Sequence, residues 1–234
     1  MNYIKMSPLT GMVGYGGGPS GLMQKSGGVA EWYGDRGIPK MYWHATKNHY
    51  EVEYITISST GNGQDFGDLS AEQRQGCGFG GQGMGILACG HINSGGSMSS
   101  TASMQYLTFA TLGSSADFAD MTNCSGGDYA ACCDGNRGLI TGGGGSNTME
   151  YTELATKSNG ATFGVLTVNR GLHCCTNDDT YGVSWGAESG DGRTSLDYVT
   201  IQTTSNASTF GTTINSVNRQ RWQGLCSDNG RGLG

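Results

Sequence analysis

Proline is nearly missing from this chain, with three residues in 234, and charged side chains are scarce at 14 %, against about 25 % in an ordinary soluble domain. The want of proline, and of glycine at every third position, excludes a collagen-type triple helix. A formal net charge of −6 is too small for disorder driven by charge repulsion. Long stretches of Ala, Leu, Glu and Lys at 3.6 spacing are absent, which excludes a helical bundle. No apolar run reaches the length of a transmembrane helix, so no membrane insertion is expected. The opening residues, Met1-Asn2-Tyr3-Ile4-Lys5-Met6-Ser7-Pro8, lack the apolar middle of a signal peptide. The chain is therefore expected to stay in a cytosol or be assembled there. Its scattered basic residues and pI near 5.1 offer no phosphate-binding groove, so no nucleic-acid partner is expected.

What is abundant is glycine, 43 residues, about 18 % against roughly 7 % in ordinary proteins. Glycine costs about 1 kcal/mol inside a helix, so the composition points to short strands joined by tight turns. Eight cysteines stand at 77, 89, 124, 132, 133, 174, 175 and 226. No CxxC pair exists, so no zinc or other metal site is expected. Without a secretion signal the thiols are expected to be buried and free.

The strongest signal is self-similarity. Tyr54-Ile55-Thr56-Ile57, Tyr106-Leu107-Thr108-Phe109, Tyr151-Thr152-Glu153-Leu154 and Tyr198-Val199-Thr200-Ile201 begin four similar segments, 52, 45 and 47 residues apart. Each tyrosine is followed 12 residues later by a phenylalanine: Phe66, Phe118, Phe163 and Phe210. A glycine followed by an aliphatic residue recurs between them, at Gly37-Ile38, Gly85-Ile86, Gly138-Leu139, Gly182-Val183 and Gly232-Leu233, with arginine ahead of it at Arg36, Arg137 and Arg231. One unit thus reads: glycine-aliphatic strand, glycine-rich turn, tyrosine strand, Ser/Asn/Gly turn, phenylalanine strand, variable loop, cysteine strand. Both faces of such small sheets carry apolar or β-branched residues, as Leu196 to Ile201 show. A sheet of this size cannot bury itself, but stacked copies can. The eight repeated aromatic residues are expected to form the repeat core.

This repeat, four strands in 45 to 50 residues, looks like a Kelch-type β-propeller blade. The wording of residues 54–69, Tyr-Ile-Thr-Ile-Ser-Ser-Thr-Gly-Asn-Gly-Gln-Asp-Phe-Gly-Asp-Leu, and the Cys-x5-Gly-Leu block at 226–233 resemble repeats in structural proteins of tailed bacteriophages, particularly tail-fibre and related virion proteins. The resemblance covers about residues 31–234. It implies an all-β, propeller-like array of about four four-stranded repeats over residues 29–234. It also implies a non-enzymatic role in the virion, as a fibre or a neck or capsid decoration, with host attachment. The implied partners are other virion proteins (capsid, neck or tail), a host surface glycan and further copies of the chain. Assembly would take place in the host cytoplasm.

Residues 1–28 do not fit the repeat. Their glycines cannot support a core, while Met6, Leu9, Met12, Tyr15, Leu22 and Met23 are adaptable apolar anchors. An extended arm that fixes the chain to the particle is expected here. Gly16-Gly17-Gly18-Pro19-Ser20-Gly21 lacks the Gly-Lys-Ser/Thr ending of a phosphate loop, so no nucleotide or other cofactor is expected.

Candidate chemistry is sparse. His44 and His49 are five residues apart in a loop-like stretch. Asp65, Asp68, Asp117 and Asp120 recur with the repeat and are read as turn residues rather than cation ligands. Glu188, Asp191 and Asp197 could serve glycoside hydrolysis only as a pair across a cleft, and no catalytic residue is assigned. Glycan or partner contact is expected from Trp32, Tyr42, Trp43, Trp185 and Trp222, aromatic residues beside Asn and Asp. The readings set against the virion role are a carbohydrate-active enzyme on a propeller and a cellular Kelch-like adaptor.

Overall fold

The computed structural model of the chain describes residues 36–38, 50–57, 59–92, 97–124, 126–178, 180–187 and 193–214, and the backbone alone of 12–14, 19–21, 93–94, 226–227 and 232–233. The described residues are all-β. Near the N-terminus, β1 (Met12–Gly14) pairs with β2 (Pro19–Gly21) as a hairpin. The first sheet holds β3 (Arg36–Gly37), β4 (Glu51–Thr56) and β5 (Gln64–Asp68). The second begins with β6 (Cys77–Gly81) and β7 (Met84–Ala88). A hairpin, β8 (His91–Ser94) and β9 (Ser97–Ser100), is then inserted before β10 (Ser103–Thr108) and β11 (Ala116–Asp120) complete that sheet. The third sheet is β12 (Tyr129–Cys133), β13 (Arg137–Gly142), β14 (Ser146–Glu153) and β15 (Ala161–Arg170). The fourth is β16 (Cys174–Asn177), β17 (Tyr181–Trp185), β18 (Ser195–Thr200) and β19 (Ser208–Thr212). A last pair joins β20 (Cys226–Ser227) to β21 (Gly232–Leu233).

Each four-stranded sheet is an antiparallel meander. The sheets break between the phenylalanine strand and the cysteine strand, so the cysteine strand opens a unit instead of closing it. The reason is local. A tight turn such as Gln82-Gly83, both at positive φ, folds β6 back onto β7, whereas the segments after the phenylalanine strands, residues 69–76, 121–128 and the short 171–173, lead to a strand of another sheet. The first sheet shows three strands among the described residues, where four were expected.

All four sheets carry the same irregularity. The ladder slips between Val52 and Glu53, Met104 and Gln105, Met149 and Glu150, and Leu196 and Asp197. Val52 faces Gly67 and Glu53 faces Asp65, so Phe66 is the extra residue of a β-bulge. Phe118, Phe163 and Phe210 occupy the same position. A bulge bends the strand and re-aims the side chain it carries. Here it brings each phenylalanine edge-on to its tyrosine, with ring centroids 6.0, 6.2, 6.1 and 5.9 Å apart for Tyr54–Phe66, Tyr106–Phe118, Tyr151–Phe163 and Tyr198–Phe210. The constant interval between the two rings is thus one turn plus one bulge.

The core lies between sheets. Phe66 clusters with Leu87, Leu107 and Phe109 of the second sheet, Phe118 with Leu154 of the third, and Phe163 with Val199 and Ile201 of the fourth. The opening strands β6 and β12 are buried along their whole length, and β12 packs between β6 and β16. Close packing there needs small residues. A Cβ on Gly138 would stand 2.1 Å from the Phe79 ring, so β13 admits that ring only as glycine. Phe210 departs from the expected core. It is 62 % exposed, because no following sheet lies over it among the described residues.

This asymmetry is measurable. Phe118→Ala should lower unfolding free energy by about 3–5 kcal/mol, the usual cost of emptying a buried aromatic site. Phe210→Ala should cost less than about 1 kcal/mol. Denaturant titration of the two variants compares them directly, and equal losses would contradict the inter-sheet core.

Candidate functional site

The side chains that converge from different sheets do so at the seams, and three devices recur there. The first is a clamp. The residue before each tyrosine is polar: Glu53, Gln105, Glu150 or Asp197. The bulge turns the last three inward, and all three are buried. Gln105 Oε1 accepts from Ser70 Oγ at 2.8 Å and Ala71 N at 3.1 Å. The Glu150 carboxylate accepts from Thr122 N at 3.2 Å, Asn123 N at 3.2 Å and the Thr122 hydroxyl. Asp197 accepts from Thr167 N at 3.1 Å and Thr167 Oγ1 at 2.5 Å. Ser70, Thr122 and Thr167 each lie four residues beyond the bulged phenylalanine of the preceding sheet.

The second device is a backbone latch. Side-chain oxygens of Ser114, Asn159 and Asn206, in the turns before the phenylalanine strands, accept from the N–H of Asp68, Asp120 and Val165 at 3.4, 3.2 and 3.1 Å. The next residues, Ser115, Gly160 and Ala207, donate their N–H to the carbonyls of the same three residues at 2.8, 2.8 and 2.9 Å. Both backbone groups of an edge-strand residue are thereby satisfied by the neighbouring sheet. At the first seam Gly67, φ +139°, lies so close to this turn that a Cβ would sit 2.5 Å from the Gly113 carbonyl.

The third device is cationic. Arg36 lies 5.2 Å from the Tyr54 ring centroid and donates to Phe109 O of the next sheet at 2.6 Å. Arg137 lies 4.3 Å from the Tyr151 centroid and donates to Ile201 O at 3.2 Å. Where the arginine is replaced by Met84, Lys157 of the following sheet covers Tyr106 at 3.7 Å. Where it is replaced by Tyr181, that ring meets Tyr198 at 5.9 Å.

These seams consume the residues most suited to chemistry. Asp197, one of the carboxylates considered for hydrolysis, is fully buried and ion-paired with buried Arg170 at 3.1 Å. Arg170 also donates to Gly186 O at 3.0 Å and Ser195 Oγ at 2.9 Å. Asp65 Oδ1 accepts from Gly67 N at 3.0 Å, a turn role. Among the described residues no group of three His, Cys, Asp or Glu could hold a metal ion. A small recess lined by Met121, Asn123, Tyr129, Thr148 and Glu150 is occupied at its polar end by the Glu150 clamp. No helix among the described residues is long and apolar enough to cross a membrane.

Burial drives the thiols of Cys77, Cys133 and Cys174 far above their ordinary range. A hydrogen bond with Cys175, and burial, do the same to Cys132. Burial thus favours the protonated form of all four thiols. One pair breaks the expectation of free cysteines. Cys89 and Cys124 form a disulfide, their Cα atoms 6.1 Å apart, within the range such a bond requires. It joins the base of the inserted β8–β9 hairpin to the loop after β11, a proximity invisible in cysteine count or compartment.

Of the aromatic residues expected to make contacts, Trp185 is half-buried at the end of β17, opposite Leu196 and Cys174. Trp32, Tyr42, Trp43 and Trp222 lie outside the described residues, as do His44, His49, Glu188 and Asp191. Of the anchoring residues, Met12 is described only as the first backbone position of β1, and Met6, Leu9, Tyr15, Leu22 and Met23 lie outside. No known family model matches the chain, and no curated protein matches it.

Two outcomes follow. Asp197→Ala leaves Arg170 buried without its counter-charge and should cost about 3–5 kcal/mol, read by denaturant titration; a near-neutral result would remove the clamp from the account. His173, buried with Nε2 2.9 Å from Thr141 Oγ1, has its pKa pushed down to about 3, by burial first and the Arg170 charge second. The unfolded imidazole binds its proton near 6.5, so between these values the unfolded state holds the extra proton. Stability should therefore drop as pH is lowered through that window, by about 1.4 kcal/mol per unit. His173→Gln should flatten that slope by one proton, and an unchanged slope would contradict it.

Proposed function

We propose that the chain is a non-enzymatic structural module of a tailed-bacteriophage particle, a fibre or decoration element held by its N-terminal segment. The supporting observation is that the polar residues of the repeat are spent on holding sheet to sheet. Glu150, Asp197 and Gln105 each accept several hydrogen bonds from the preceding sheet, which suits a scaffold rather than a catalyst. On this reading the sheets are blades of a Kelch-like, propeller-like array, with opening strands β6, β12 and β16 on its inner side and phenylalanine strands outward. The loops and insertions then provide variable surface on a constant frame. The β8–β9 hairpin, with Met98 54 % exposed, is such an insertion. Capsid, neck or tail proteins are the partners of the N-terminal segment, and host surface glycan is the target of the aromatic loops.

Deleting residues 1–28 should abolish incorporation into particles; because β1 and β2 lie against β6 and are lost with that segment, the shortened chain is compared only after a cooperative melt shows that its repeat is folded. Incorporation at the undeleted level would overturn the anchoring role.

A further inference from the structure

The chain makes one kind of interface three times. Its trailing half, on the earlier sheet, is the bulged phenylalanine, the edge residue two positions on, and a hydrogen-bond donor four positions on: Phe66, Asp68 and Ser70, then Phe118, Asp120 and Thr122, then Phe163, Val165 and Thr167. Its leading half, on the later sheet, is the clamp residue, the residues one and three after the tyrosine, and the latch turn. At the three filled seams the phenylalanines are 2–4 % exposed, and Leu107, Phe109, Leu154, Val199 and Ile201 are 0–5 % exposed.

Among the described residues each half also occurs once without its complement. The first sheet presents a leading half. Ile55 and Ile57, equivalent to Leu107 and Phe109, are 39 % and 37 % exposed, and Glu53, Asn62 and Gly63 face solvent. The fourth sheet presents a trailing half. Phe210 is 62 % exposed, Thr212 is exposed, and Ile214 is fully exposed. The two open faces are complementary in kind: aromatic plug to aliphatic seat, edge strand to latch turn. They differ from each other, so neither can pair with itself. An interface of that type joins copies head to tail.

We propose that the Phe210–Ile214 face of one chain docks on the Ile55, Ile57 and Asn62–Gly63 face of a second copy, repeating the seam already made within the chain. Phe210 then fills the seat between Ile55 and Ile57. Asn62 Oδ1 accepts from Thr212 N–H, and Gly63 N–H donates to the Thr212 carbonyl. Ile214 replaces the hydroxyl-bearing residue of the other seams, so Glu53 has only a backbone N–H to accept from. The seam between copies is accordingly weaker than those within the chain and depends on concentration.

The test uses the 234-residue chain in two variants that each add one cysteine to the native set, Asn62→Cys and Thr212→Cys, with the unsubstituted chain as the control for native thiols. When they are mixed and mildly oxidised, a covalent dimer containing one of each is expected, while neither variant alone yields that species. In sedimentation velocity the unmodified chain should self-associate, and Phe210→Asp or Ile57→Asp should weaken association by at least about tenfold with an unchanged melt. Two results overturn the proposal. One is no cross-link in the mixture. The other is an intramolecular cross-link, in the double variant, that leaves the chain monomeric, which would mean that the two faces meet within one chain.

Discussion

A sheet of four short strands has two faces and one layer, so it cannot bury its own apolar residues, and its edge strand leaves backbone groups unpaired. The fold answers both problems at one place. Where the turn before a phenylalanine strand meets the edge of the preceding sheet, Ser115, Gly160 and Ala207 donate to, and Ser114, Asn159 and Asn206 accept from, single edge residues. That contact sets the spacing between sheets. The spacing in turn lets the bulged phenylalanine reach the aliphatic seat opposite, and lets Gln105, Glu150 and Asp197 reach the donors after it. The buried polar groups are then satisfied, without which their burial would cost more than the packing returns.

Much of this frame is legible in residues. The paired tyrosine and phenylalanine mark the two strands that carry the bulge, and Gly138 and its equivalents mark the neighbouring strand. The bulge itself is not legible, since nothing in residue type says that Phe66 or Phe163 is the extra member of its strand. The clamp was within reach. Glu53, Gln105, Glu150 and Asp197 always precede the tyrosine, and Ser70, Thr122 and Thr167 always follow the phenylalanine at one interval. Their pairing becomes visible only when adjacent sheets are placed side by side. The Cys89–Cys124 bond escaped for the same reason: its partners come together through the inserted hairpin and a loop, not through sequence spacing. Phe210 reads as core by repeat and stands exposed, because burial belongs to the seam and not to the residue.

The same logic separates scaffold from surface. Residues shared by all units are spent on seams, so specificity must come from what the units do not share, such as the β8–β9 hairpin and the loops around it. That division of labour fits the particle role proposed above, in which the frame is constant while the contacts vary.

The central claim is that turns latch to the edges of preceding sheets. Backbone hydrogen exchange resolved at single residues tests it most directly. The amides of Ser115, Gly160 and Ala207 lie outside the strands, yet the account has them exchange as slowly as the ladder amides of β14 and β18, and the edge amides of Asp68, Asp120 and Val165 share that protection. Exchange of the three turn amides at the rate of an open loop would contradict it.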